Sequence, residues 1–74
     1  MKYTYITFGQ EHAHRVNGHT FDKDSVAVIK CTDWADGRRI AFELFGKKWC
    51  MEYHDTEWND GSMRFFPRGI LNAN

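Results

Sequence analysis

The chain has 74 residues, and its ten basic and ten acidic side chains balance to zero formal charge. Hydrophobic residues make up 42% and aromatics 16%, too apolar for a disordered tail, and the length allows one domain, residues 1–74, with a thin core. Zero net charge argues against general nucleic-acid binding, which needs an excess of Lys and Arg. The longest apolar run, Val26 to Ile29, is too short for a membrane span.

Lys2 to Phe8 alternates, with Tyr3, Tyr5 and Thr7 on one side and Thr4, Ile6 and Phe8 on the other. This predicts a strand ending at Gly9. Asn17-Gly18 is the preferred pair for a type I′ turn, so His14-Arg15-Val16 and His19-Thr20-Phe21 are expected to form a short hairpin. Ser25 to Cys31 (SVAVIKC) reads as a central strand, apolar on both sides.

Thr32-Asp33 supplies a helix cap, and the boundary rules run the helix from about Asp33 to Phe45 with Gly46 as its left-handed stop. Trp34, Ile40, Ala41, Leu44 and Phe45 form its apolar stripe. Arg38, Arg39, Glu43 and Lys47 lie on or beside the other face. Gly37 costs about 1 kcal/mol against Ala in a helix, and lets the helix approach the sheet closely. Lys48 to Tyr53 reads as the next strand, and His54 to Gly61 as an acidic loop. Ser62 to Phe66 is expected to be extended, Pro67-Arg68-Gly69 to turn, Ile70-Leu71 to form an edge strand and Asn72 to Asn74 to fray. The sequence thus predicts an α+β fold: a small antiparallel, curved sheet of about four to five strands in the order β-(hairpin)-β-α-β-β, with one helix packed on one face.

Cys31 and Cys50 are the two cysteines. Their apolar flanks predict two buried free thiols in a reducing compartment, since nothing in the chain suggests secretion. No Cys-x-x-Cys pair is present to hold zinc.

Three chemistries compete for the remaining residues. His12 and His14 project from the same side of an extended segment, a usable pair of metal ligands with His19, Glu11, Asp22 or Asp24 as a third. The absence of a supporting motif leaves metal and catalytic sites unassigned, and a metal-dependent hydrolase is the third reading. Phosphate recognition is the first reading. Arg15 and Arg68 stand beside glycine turns, where guanidinium forks and exposed N–H groups grip phosphate; Phe65 could stack on a base, and Gln10, His12 and His14 would complete the ligand site. In the second reading, Trp58 and Phe66 form a protein interface, because aromatics dominate such contacts. The acidic loop 55–60 would then imitate nucleic-acid charge. Ser25 lacks a nucleophile-elbow context, and no cofactor motif is present.

Three stretches carry a resemblance: TFGQEHAHRVNGHTFDKDSVAVI at 7–29, AFELFGKKWCMEY at 41–53 and FPRGI at 66–70. The pattern FGQ-x-H-x-H, VNG-x-TFD-x-D-x-V, FG-x-K-W/F-C and FPRG resembles that of a family of small tailed-bacteriophage proteins. It covers most of the chain and departs at the acidic loop around Glu57 to Gly61. The resemblance implies a phage-encoded, cytoplasmic, non-enzymatic protein that antagonises a host process by binding. The expected partner is a nucleotide-like signal molecule, or alternatively a host defence or nucleic-acid enzyme inhibited stoichiometrically; the thin core, the aromatic excess and open sheet edges predict a homo-oligomer, with the small ligand at a subunit boundary. It brings no catalytic residues.

Overall fold

The computed structural model describes residues 2–58 and 60–74. The chain forms β1 (Lys2–Thr7), β2 (His14–Val16), β3 (His19–Phe21), β4 (Ser25–Cys31), α1 (Trp34–Phe45), β5 (Met51–His54), a 3-10 helix (Asp60–Phe65) and β6 (Gly69–Asn72). The α+β fold with one helix on one sheet face is as expected.

The main sheet has the order β5-β1-β4-β6, and β2 and β3 pair separately. The sheet is mixed rather than wholly antiparallel. β1 opposes β4 and β5, whereas β6 runs parallel to β4. Two crossovers cause this. α1 carries the chain from β4 to β5 over one face, and the segment after β5 returns it to β6 over the other. Parallel neighbours need such long connections, where antiparallel ones need only a turn.

The alternation in β1 sorts its side chains as expected. Thr4, Ile6 and Phe8 are fully buried on the helix side, where Ile6 and Phe8 join Ala27, Ile29, Ala41 and Phe45 in the core. Asp33 caps α1 by accepting a hydrogen bond from Asp36 N–H at 2.8 Å. Gly46 ends it with φ 63°, in the left-handed region open to glycine. Gly37 faces the sheet, where an added Cβ would clash with Thr4 Oγ1 and stand 3.0 Å from Cys31 Sγ. This is the close approach that the mid-helix glycine predicted.

The hairpin turns at Asn17 (φ 53°) and Gly18 (φ 76°), as a type I′ turn requires. It closes the open end of the helix-side core. Phe21 meets Phe8 at 5.7 Å and Phe45 at 5.5 Å, and Phe8 meets Phe45 at 4.9 Å.

Four further expectations need correction. Residues 62–65 form part of the 3-10 helix instead of an extended piece, because they lie within the crossover rather than along a strand. β5 starts at Met51, not Lys48. Ahead of it the chain is bent by Lys48 N–H donating to Phe45 O at 3.2 Å and the Trp49 indole N–H donating to Gly46 O at 3.0 Å. Cys31 is buried, but Cys50 is exposed, since it lies on that bend. The C-terminal residues are held rather than frayed. Ala73 N–H donates to Val28 O at 3.1 Å. The Asn74 side-chain amide both accepts from Lys30 N–H and donates to Lys30 O, each at 3.0 Å. It imitates a peptide group and extends the parallel ladder by one rung. Among the described residues, no helix is long and apolar enough to cross a membrane.

Candidate functional site

The structure separates the candidates that the sequence grouped. His14 Nε2 lies 2.6 Å from Lys48 O. A carbonyl only accepts, so this nitrogen carries the proton. The ring also packs against Phe8 and Phe45, with centroids at 5.7 and 5.1 Å. His14 therefore ties the hairpin to the bend before β5. His12 is half-buried and lines a concavity with Gln10, Glu11 and Cys50. Among the described residues no group of three or more His, Cys, Asp or Glu is placed to hold a metal ion.

The two arginines beside glycine turns are engaged at the surface. Arg15 donates to Thr20 Oγ1 at 3.3 Å, its direct cross-strand neighbour in the hairpin. Arg68 pairs with Asp22 at 2.9 Å. The Asp24 N–H, which also bonds Asp22, holds the Asp22 carboxyl below the usual carboxylate range, and the Arg68 guanidinium adds to the effect.

Gln10, Phe65 and Phe66 do come together. They line a concavity of about 400 Å³ with Lys23, Met51 and Tyr53. Lys23, not either arginine, supplies its positive charge, and its ammonium sits 3.1 Å from the Asp24 carboxylate. Trp58 is half-buried beside this hollow. It stacks on Tyr5 at 5.1 Å with 12° between planes, and stands edge-on to Tyr53 at 5.6 Å. Phe66 lies 6.2 Å away, so both interface candidates help cover the sheet face opposite α1. Of the acidic loop, Asn59 and the Asp60 side chain lie outside the described residues.

Sequence reasoning missed the seam between α1 and β5. Trp34 and Arg38, four apart on the helix, meet His54 and Glu52, two apart on the strand, and Phe42 meets Trp49 on the bend before it. Trp34 stacks on His54 at 4.2 Å and 4°. Arg38 pairs with Glu52 at 3.2 Å. Phe42 meets Trp49 edge-to-face at 5.3 Å. Arg38 is exposed yet borders this seam; the period-four spacing of Trp34, Arg38 and Phe42, set against the period-two spacing of Glu52 and His54, was the available signal.

Three concavities meet at Cys50. One lies on the helix side, about 350 Å³, and includes Arg38, Phe42, Trp49 and Glu52. The second is the His12 hollow, about 410 Å³. The third is the Phe65 hollow. Around them stand exposed apolar side chains: Phe42 at 42%, Met51 at 50% and Phe65 at 63% of their possible surface.

No protein-family model, curated protein or solved structure matches this chain.

Proposed function

We propose that this protein works by binding a protein partner through the β5 edge and the hollows around Cys50. The observation that carries the reading is the company of an edge strand and large exposed apolar groups. β5 closes one side of the sheet with no strand beyond it among the described residues. Phe42, Met51 and Phe65 flank it. Sheet edges are ordinarily blunted by charge, proline or a cover, and clustered exposed apolar side chains mark interaction sites. An extended segment of the partner would add to the β5 edge ahead of His54, whose N–H and carbonyl are already bonded to the turn that follows, its alternate side chains entering the hollows on either side. The phage resemblance is consistent with a host protein as that partner.

A nucleotide-type signal molecule is the second reading. It is favoured by the meeting of Gln10, Phe65 and Phe66 in one concavity with Lys23. Phosphate recognition gains most from several free, forked donors. Arg15 and Arg68 are engaged elsewhere, which puts this reading behind the first.

A photo-crosslinking amino acid at position 65, exposed to host extract, separates the two. A discrete adduct of host-protein mass, lost when Met51→Lys is added, supports the protein partner. An adduct of twice the chain mass identifies a second copy. Absence of any protein adduct, with saturable binding of a cyclic dinucleotide that Lys23→Ala weakens, would overturn the first reading in favour of the second.

A further inference from the structure

Glu52 sits on the helix-side face of β5 with only 10% of its side-chain surface exposed. One carboxylate oxygen, Oε1, accepts from Arg38 at 3.2 Å. The other, Oε2, is buried and has no hydrogen-bond partner among the described residues. An ionised oxygen left dry and unpaired is costly, more so than a neutral group. Such an atom in a native fold calls for a donor.

Its surroundings suit a cationic one. Glu52 lines the same hollow as Phe42 and Trp49. The Arg38 guanidinium already lies over both rings, 5.5 Å from Phe42 and 5.7 Å from Trp49. The ring faces are electronegative and attract cations. Arg38 is itself 58% exposed, so an incoming cation that displaces it from Oε1 would reach the carboxylate, replacing one exposed ion pair by another. The hollow has room for a small alkyl group beside the rings, at about 350 Å³.

We infer that the hollow between α1 and β5 is a binding pocket for an alkylammonium or guanidinium group, with the Glu52 carboxylate as acceptor and Phe42 and Trp49 as walls. The inference does not depend on the protein-partner reading. A basic side chain on a strand added at β5 would supply the group, and so would a free amine. Lys47 lines the same hollow and opposes the incoming charge, so neutralising it strengthens binding.

The test uses the whole protein and follows the Trp49 indole N–H resonance. The probes are n-butylammonium, methylguanidinium and the acetylated, amidated peptide Thr-Val-Lys-Val-Thr, with potassium chloride as the ionic-strength control. The expected result is a saturable shift with the organic cations and none with potassium. Glu52→Gln weakens binding about tenfold or more, the scale of a lost charge-assisted hydrogen bond. Lys47→Gln tightens it about twofold, and is at an exposed site, so the test survives if Glu52→Gln fails to fold. Tighter binding of the peptide than of butylammonium, with shifts along β5, identifies a basic side chain as the source; equal or weaker binding identifies a free amine. No saturable shift in the wild type, or one that ignores both substitutions, overturns the inference, and crosslinking at position 65 is unaffected by either result.

Discussion

On the helix side of the sheet, Gly37 brings α1 against Thr4 and Cys31, and the space between is filled by Ile6, Phe8, Ile29 and Phe45. On the far side, the returning chain lays Trp58 over Tyr5 and Phe66 beside it, while Tyr3, Met51 and Ile70 stay exposed. One sheet thus has a close-packed cover and a partial one. A helix presents a regular stripe at fixed spacing and seals the face beneath it. An irregular segment covers only where a large ring lands. The far side therefore keeps more apolar surface open than the helix side does.

The largest expected difference comes from emptying the sealed side. Phe8→Ala removes a fully buried ring and should cost about 3–5 kcal/mol, read from denaturant unfolding. Gly37→Ala should follow, at about 1–3 kcal/mol from overpacking. Its cost should fall in a Thr4→Ala background, because that removes the clashing oxygen, and purely additive losses would place the contact elsewhere. Trp58→Ala tests the partial cover. An aromatic stack is worth about 0.5–1.5 kcal/mol beyond its buried area, so a loss near 1–2 kcal/mol is expected. A loss matching that of Phe8→Ala would show the two faces to be equally sealed.

Smaller effects belong to the rims. Asn74→Ala should cost about 1 kcal/mol and speed amide exchange at Lys30, whose N–H it leaves without its acceptor. The smallest concerns acid. Asp22 is held below its usual pKa, so its contribution is present above the unfolded value of about 3.9 and is lost as pH falls through the lower folded one. In urea melts, the gap between wild type and Asp22→Asn should therefore shrink on acidification below about pH 4.

Elements governed by adjacent residues were legible in the sequence. Asn17-Gly18 set the hairpin, the alternation of Lys2 to Phe8 set β1, the apolar run in Ser25 to Cys31 set β4, and Asp33 and Gly46 set the ends of α1. Features that depend on distant pairings were not. Nothing near Asn74 signals that its amide will meet Lys30, and the direction of β6 follows from where the crossover lands. The same division runs through the candidate site. Gln10, Phe65 and Phe66 were chosen for residue type, and the fold brings them together. Arg15 and Arg68 were chosen on the same grounds, but the fold gives each a local partner. Lys23 was given no role from the sequence, and Arg38 is exposed as its face suggests, yet each also lines a hollow.

The sheet order also bears on how the chain assembles. β1 pairs with β4 at the centre, with partners such as Ile6 and Ala27, whereas the outer pairs join residues as distant as Ser25 and Gly69, or Thr4 and His54. Closing the longer loops costs more entropy before any contact repays it. The central pair is therefore expected to form in the folding transition state, with both outer strands docking afterwards. In the native protein, the outer strands would be the first to detach in partial opening. β5 would then exchange its amide hydrogens faster than β4, and the strand proposed to receive a partner would be among the least costly to rearrange.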